Sequence, residues 1–178
     1  YIVKEGEIAF SNLLLGIADL DSNIEALKRH ELSSIHCISA DGIGVFSDTE
    51  KRLVDLDSIP SPYTSGRLNE FFDGQLMPLI QTNRGCPFSC TFCVEGLEYY
   101  SKVRRYSTER IDDDIAFIGE QMDNAKSFRK RNDLFIADSN FGMYSADINT
   151  CHALKITREK YGWPEYINVA TGKNKKER

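Results

Sequence analysis

No apolar run in this chain approaches the ~20 residues needed to cross a bilayer as a helix. The longest candidate, NLLLGIADL at positions 12–20, is short and interrupted, and no membrane span is expected. A secretory signal pattern is also missing, so a reducing cytoplasm is the expected compartment. Basic residues are in the minority: 22 Lys and Arg against 27 Asp and Glu leave a net charge of −5. Phosphate contacts need clustered cations, and no nucleic-acid partner is expected. The three histidines form no cluster. No internal repeat or low-complexity tract is visible. Cysteines number five, and an odd count is no disulfide framework.

What is present is ordinary in bulk. With 41% hydrophobic and 28% charged residues, the composition is that of a soluble globular protein, and 178 residues make one medium domain or pieces of two. The chain opens at Tyr1 on YIVKEGE and closes on TGKNKKER directly after a strand-like run. Neither end resembles a natural terminus, and an excerpt of a longer polypeptide is expected.

Residues 1–60 read as a small first region. EIAFSNLLLGIADL places Ile8, Phe10, Leu13, Leu14 and Ile17 on a broad helical stripe. SNIEALKRHEL follows as a second helix capped by Ser22 or Asn23. SIHCISADGIGVFSD suggests a hairpin turning at Asp41-Gly42, with Cys37 packed inside it. Pro60, Pro62 and Gly66 then predict an extended linker. From residue 61 onward strand and helix alternate. Strands are expected around residues 76–82, 134–137 and 166–170. Helices are expected over STERIDDDIAFIGEQMDNA, with Thr108 as cap and Ile111, Ile115, Ile118 and Met122 on one face, and over SADINTCHALKITREKYGWP, stopped by Gly162 and Pro164. Alternation of this kind predicts right-handed crossovers and a parallel α/β sheet. The apolar run at 134–137 predicts a strand covered on both faces. Cys151 falls with Ile148, Leu154 and Tyr161 and reads as a core thiol, while Arg104, Arg105 and the terminal KNKK read as solvated surface.

The informative stretch is QTNRGCPFSCTFCVEG at 81–96, which puts Cys86, Cys90 and Cys93 within eight positions. Thiolates suit zinc or iron–sulfur clusters. A structural zinc site wants four ligands, usually as two pairs, and there is no second pair nearby. Three thiolates on one loop fit a four-iron cluster with one iron left open. The loop also follows a strand in a parallel α/β pattern, where strand C-termini host active sites.

RGCPFSCTFC resembles the CxxxCxxC signature of the radical S-adenosylmethionine (SAM) enzymes, with the aromatic Phe92 ahead of the last cysteine. KEGE, LDSIPSPYTSGRLNEFF, VRRYSTERIDDDI and FIADSNFG are similar to the B12-binding, cobalamin-dependent subgroup. The resemblance implies the tail of an N-terminal α/β cobalamin-binding-type module and linker over 1–60, and the first half of a (β/α) radical SAM barrel over 61–178. Cys86, Cys90 and Cys93 would hold a [4Fe–4S] cluster whose fourth iron takes SAM. An electron from the cluster would cleave SAM to methionine and a 5′-deoxyadenosyl radical, for methylation or rearrangement of an unidentified small-molecule or peptide substrate. An electron donor such as a flavodoxin or ferredoxin is implied, and cobalamin would be held by residues upstream. The family's methionine-amino contact, often Gly-Gly-Glu, corresponds here to ADSNFG, making Asp138 and Asn140 the candidates. A capping role in the following turn is the alternative for Asp138. Phe92 would bring backbone near adenine, or would pack its own loop. Thr171 and Lys173 could face SAM, with a solvated terminus as the alternative. Rival readings are a methylthiotransferase, a cobalamin-independent radical SAM enzyme, and a non-catalytic zinc protein.

Overall fold

The computed structural model describes residues 1–30, 32–125 and 130–171. They fall into two compact units, Tyr1–Leu53 and Val54–Arg178.

The first unit holds helix α1 (Glu7–Asp19), a single helical turn α2 (Ile24–Leu27), and the antiparallel pair β1 (Cys37–Ile38) and β2 (Gly44–Val45). The expected hairpin is present, and Gly42 at φ 83° takes the left-handed turn position that side chains disfavour. The expected second helix is one turn only. Asn23 caps it by accepting from Ala26 N, and the chain leaves the helix after Leu27. The apolar stripe of α1 is largely open: Ile8, Phe10 and Leu14 are exposed and Leu13 and Ile17 half-covered, and the buried residue of the helix, Ala9, lies off the stripe. Polar ties hold the unit instead. Glu5 pairs with Arg52 at 2.8 Å and accepts from Leu53 N, while Ser34 Oγ, fully buried, accepts from Glu50 N at 2.7 Å.

The second unit is built on a parallel sheet of β3 (Leu79–Ile80), β6 (Asp133–Phe141) and β7 (Tyr166–Thr171), with β6 in the middle. Between β3 and β6 come the short pair β4 (Asn83–Arg84) and β5 (Arg104–Arg105) and helix α3 (Thr108–Asn124). Helix α4 (Asp147–Tyr161) joins β6 to β7. The alternation and parallel pairing are as the sequence predicts. Ile111, Ile115, Ile118 and Met122 of α3 are all buried, against Leu134 and Ile136 of β6. Each such fully buried aliphatic contributes about 1.5–3 kcal/mol. Gly119 lets α4 approach: a Cβ there would lie 2.2 Å from Thr157 Cγ2.

Several details differ from expectation. Ser107, not Thr108, caps α3, accepting from Arg110 N at 3.1 Å. The proline-rich stretch is held by specific hydrogen bonds. Ser61 Oγ donates to Asp114, Arg110 Nη1 donates to Ile59 O, Ser107 N donates to Asp57, and Tyr63 OH donates to Leu79 O, so the stretch lies on the second unit. Strand β6 continues four residues past the apolar run, with Leu134, Ile136, Asp138 and Asn140 buried and the alternate residues Phe135, Ala137 and Ser139 half-covered. Cys151 is exposed rather than core, because α4 turns Thr150, Ala153, Leu154 and Thr157 inward. Gly162 ends α4 in the left-handed conformation, as a C-cap glycine does. No helix among the described residues is long and apolar enough to cross a membrane.

Candidate cofactor site at the strand ends

The thiol loop leaves the sheet where β3 stops. Its ladder ends there because Thr82 N and Asn83 N donate to the Asp138 carboxylate instead of to a strand carbonyl. Asn83 and Arg84 then pair antiparallel with Arg105 and Arg104, closing the base of the loop over residues 85–103. Gly85, at φ 108°, makes the left-handed bend directly before Cys86, a conformation that a side chain would resist. Within the loop Cys86 N donates to Tyr100 O, Cys93 N to Cys90 O and Gly96 N to Cys93 O, and two 3₁₀ turns follow at Val94–Gly96 and Glu98–Tyr100. Gly96 is pressed on the second cysteine: a Cβ on it would sit 2.2 Å from Cys90 O and 2.9 Å from Cys90 N.

Cys86 is half-buried, while Cys90 and Cys93 are exposed. Among the described residues no three His, Cys, Asp or Glu side chains converge as a metal-ready group. The donor set is thus gathered on one loop without being drawn to one point. Its chemistry, three soft thiols with no carboxylate or imidazole among them, fits an iron–sulfur cluster with one open iron. Phe92 is 85% exposed and packs nothing in its loop; Phe88, Val94 and Leu97 beside it are exposed too.

Asp138 is only 1% exposed and accepts from four donors: Thr82 N (2.7 Å), Thr82 Oγ1, Asn83 N (3.2 Å) and Asn83 Nδ2 (2.7 Å). Burial pushes its carboxyl above the ordinary value; the Thr82 and Asn83 donors and the Arg105 charge pull the other way. It thereby ties the root of the thiol loop to β6. Asn140, two residues on, reaches Cys86: its Nδ2 donates to Sγ at 3.2 Å. Thr171 is exposed at the end of β7, and Lys173 and the KNKK run lie outside the described residues.

Arg104 and Arg105 are not solvated surface. Both are half-buried in β5, and Arg105 Nη2 donates to Asp147 Oδ1 at 2.7 Å. Asp147, the first residue of α4 and nearly buried, also accepts from Gly142 N and Tyr144 N through Oδ2. Arg105 therefore links the loop base to the turn after β6. The RR pair gave no sign of this role in sequence; its place opposite Asn83-Arg84 could be found only once the loop closed. A cavity of about 320 Å³ lies along β3, lined by Gln81, Arg84, Tyr106, Arg110 and Asp114 among others. It contains none of the cysteines, and the thiol loop is the better seat of chemistry because it carries the donors.

No family model matches the chain. It is 32% identical over 191 residues to the cobalamin-dependent radical SAM methyltransferase TokK of Streptomyces tokunonensis, an alignment covering 98% of this chain and 24% of that protein. It is also 32% identical over 187 residues to the 2-(S-pantetheinyl)-carbapenam-3-carboxylate methyltransferase of Streptantibioticus cattleyicolor, with the same coverage. The first of these homologues is a cobalamin-dependent radical SAM methyltransferase, in keeping with the resemblance carried by the thiol loop. Among solved structures, the chain is similar to the cobalamin-dependent S-adenosylmethionine radical enzyme OxsB with aqua-cobalamin and S-adenosylmethionine bound, at a TM-score of 0.57 and 20% identity over 85% of this chain and 20% of that one. That likeness shows a shared α/β fold with a parallel sheet. The chain spans about a quarter of the length of the curated relatives it matches.

Proposed function

We propose that this chain is the cluster-bearing segment of a cobalamin-dependent radical SAM methyltransferase. The observation that carries the reading is the loop of Cys86, Cys90 and Cys93 at the C-terminal end of a parallel strand, rooted by the β4·β5 pair. These three thiolates would hold a [4Fe–4S] cluster, which supplies the electron for reductive cleavage of SAM. The chain's own residues set the stage. Gly85 and Gly96 shape the loop, Asp138 fixes its root to β6, and Arg105 with Asp147 fixes its other strand to α4. Asn140 and the backbone beside the exposed Phe92 are the groups offered to SAM. Methyl transfer is favoured over rearrangement because both of these curated relatives are methyltransferases, and the first of them favours the cobalamin-dependent type over a methylthiotransferase. The second unit is proposed to be the first part of the barrel, with the exposed β7 continuing into further strands, and the first unit the tail of a cobalamin-binding-type module. A cytoplasmic enzyme served by a flavodoxin or ferredoxin follows from the same reading.

Anaerobic reconstitution of the full-length protein with iron and sulfide tests it. Broad absorption near ~400 nm with about four irons per chain is expected. Cys86→Ala, Cys90→Ala and Cys93→Ala should each lose the iron, while Cys37→Ala and Cys151→Ala keep it. Stoichiometric zinc without a cluster would overturn the proposal in favour of a structural zinc protein.

A further inference from the structure

Among the described residues, Cys86 is the one member of the thiol trio with a side-chain partner from elsewhere in the chain. Asn140 Nδ2 donates to its sulfur at 3.2 Å, from a strand position 7% exposed. Both ends of the contact are held. Cys86 is pinned by its own N–H to Tyr100 O at 3.0 Å and by the Gly85 bend, and Asn140 lies in β6, the central strand. The chemistry fixes the sense of the hydrogen bond. A metal-bound thiolate has no proton to give, so the amide must turn its N–H toward sulfur; its carbonyl oxygen there would set lone pair against lone pair. Such a donor stabilises added negative charge, and reduction of a cluster adds one electron to a site shared with its sulfurs. Hydrogen bonds to ligand sulfur are among the levers that set a cluster's potential.

We infer that Asn140 is a positioning residue for the cluster: its side-chain amide donates to the Cys86 sulfur and makes the cluster easier to reduce. This rests on the cluster reading and adds a role distinct from a SAM contact, for which the second N–H and the carbonyl oxygen of Asn140 remain.

The test uses the full-length protein reconstituted anaerobically without SAM, with iron per chain measured first and then a redox titration followed by electron paramagnetic resonance. Asn140→Leu removes the donor, and Asn140→Asp places an anion of the same shape beside sulfur. The potential should fall in the order parent, N140L, N140D, while iron content stays at the parent level. A purely structural role would not produce that order, because the isosteric N140D would then resemble the parent most. Protein made with ¹⁵N-asparagine gives a second readout that needs no stable variant. The reduced parent cluster should show a weak ¹⁵N coupling, and N140D should lack it. Clusters of equal potential in all three proteins, or a parent with no asparagine coupling, would overturn the inference. A parent that takes up no cluster at all would sink the cluster reading itself, and the inference with it.

Discussion

Gly96→Ala is the smallest change that should disable the thiol loop without touching a thiol. A methyl group there would lie 2.2 Å from the carbonyl oxygen of Cys90, against 3.4 Å for an ordinary contact. The two backbones must therefore separate by more than an ångström. The obstacle is main chain, not the tip of a flexible side chain, so no rotamer change relieves it. Overpacking of this kind costs roughly 1–3 kcal/mol, and 1.4 kcal/mol is about a factor of ten. The loop conformation that presents Cys90 should be depleted by roughly five- to 150-fold. The full-length protein carrying Gly96→Ala should accordingly lose iron to a chelator far sooner than the parent does. Its thermal melt should move little, since Gly96 lies outside the cluster of buried residues around Ile115 and Leu134. Gly6→Ala is the matched control, because its methyl would meet Ile2 Cγ2 at an ordinary 3.6 Å. Parent-like iron retention in Gly96→Ala would refute the claim that this close approach shapes the site.

Two further changes probe the polar ties beneath the loop. Because burial raises the carboxyl of Asp138, the folded state binds its proton more tightly than the unfolded chain does. Its contribution to stability should rise as pH falls through the raised folded value and level off below the ordinary 3.8. The melting temperature of the parent minus that of Asp138→Asn should thus grow between pH 7 and about 4; a constant difference would refute the sign. Arg105→Met should lower stability by about 1–2 kcal/mol, less than for a fully buried pair, because the guanidinium is partly exposed and Asp147 keeps two N–H donors. In a double-mutant cycle with Asp147→Asn, measured by chemical denaturation, coupling below about 0.3 kcal/mol would remove Arg105 from the site's scaffold.

Periodicity made α3 and β6 legible, because Ile111, Ile115, Ile118 and Met122 recur at helical spacing and 134–137 is apolar throughout. The thiol spacing made the loop legible for the same local reason. What escaped was set by partners distant in sequence. Asp138 reads as a strand-end polar residue until Thr82 and Asn83 are brought against it, and the charge of Arg105 suggests solvent until Asp147 is placed opposite. Cys151 reads as core on a stripe drawn through Ile148, but Ile148 is itself exposed and the inward face of α4 carries Thr150, Ala153, Leu154 and Thr157. In the first unit the apolar face of α1 resembles a core face in sequence, yet most of it is uncovered within that unit.

The short β4·β5 ladder also bears on the order in which the chain can fold. Arg84 meets Arg104, whereas Ile80 must wait for Ile136, a separation nearly three times longer. Loop-closure entropy grows with the logarithm of length, so the thiol loop closes for on the order of 1 kcal/mol less than the first parallel pairing. Local closures of this kind form early, and parallel pairings late. During synthesis the three cysteines would be gathered on a closed loop before the strand bearing Asp138 and Asn140 has been made. On the proposed cluster reading, capture of iron can then precede assembly of the sheet, with β6 arriving afterwards to lock a loop that is already loaded.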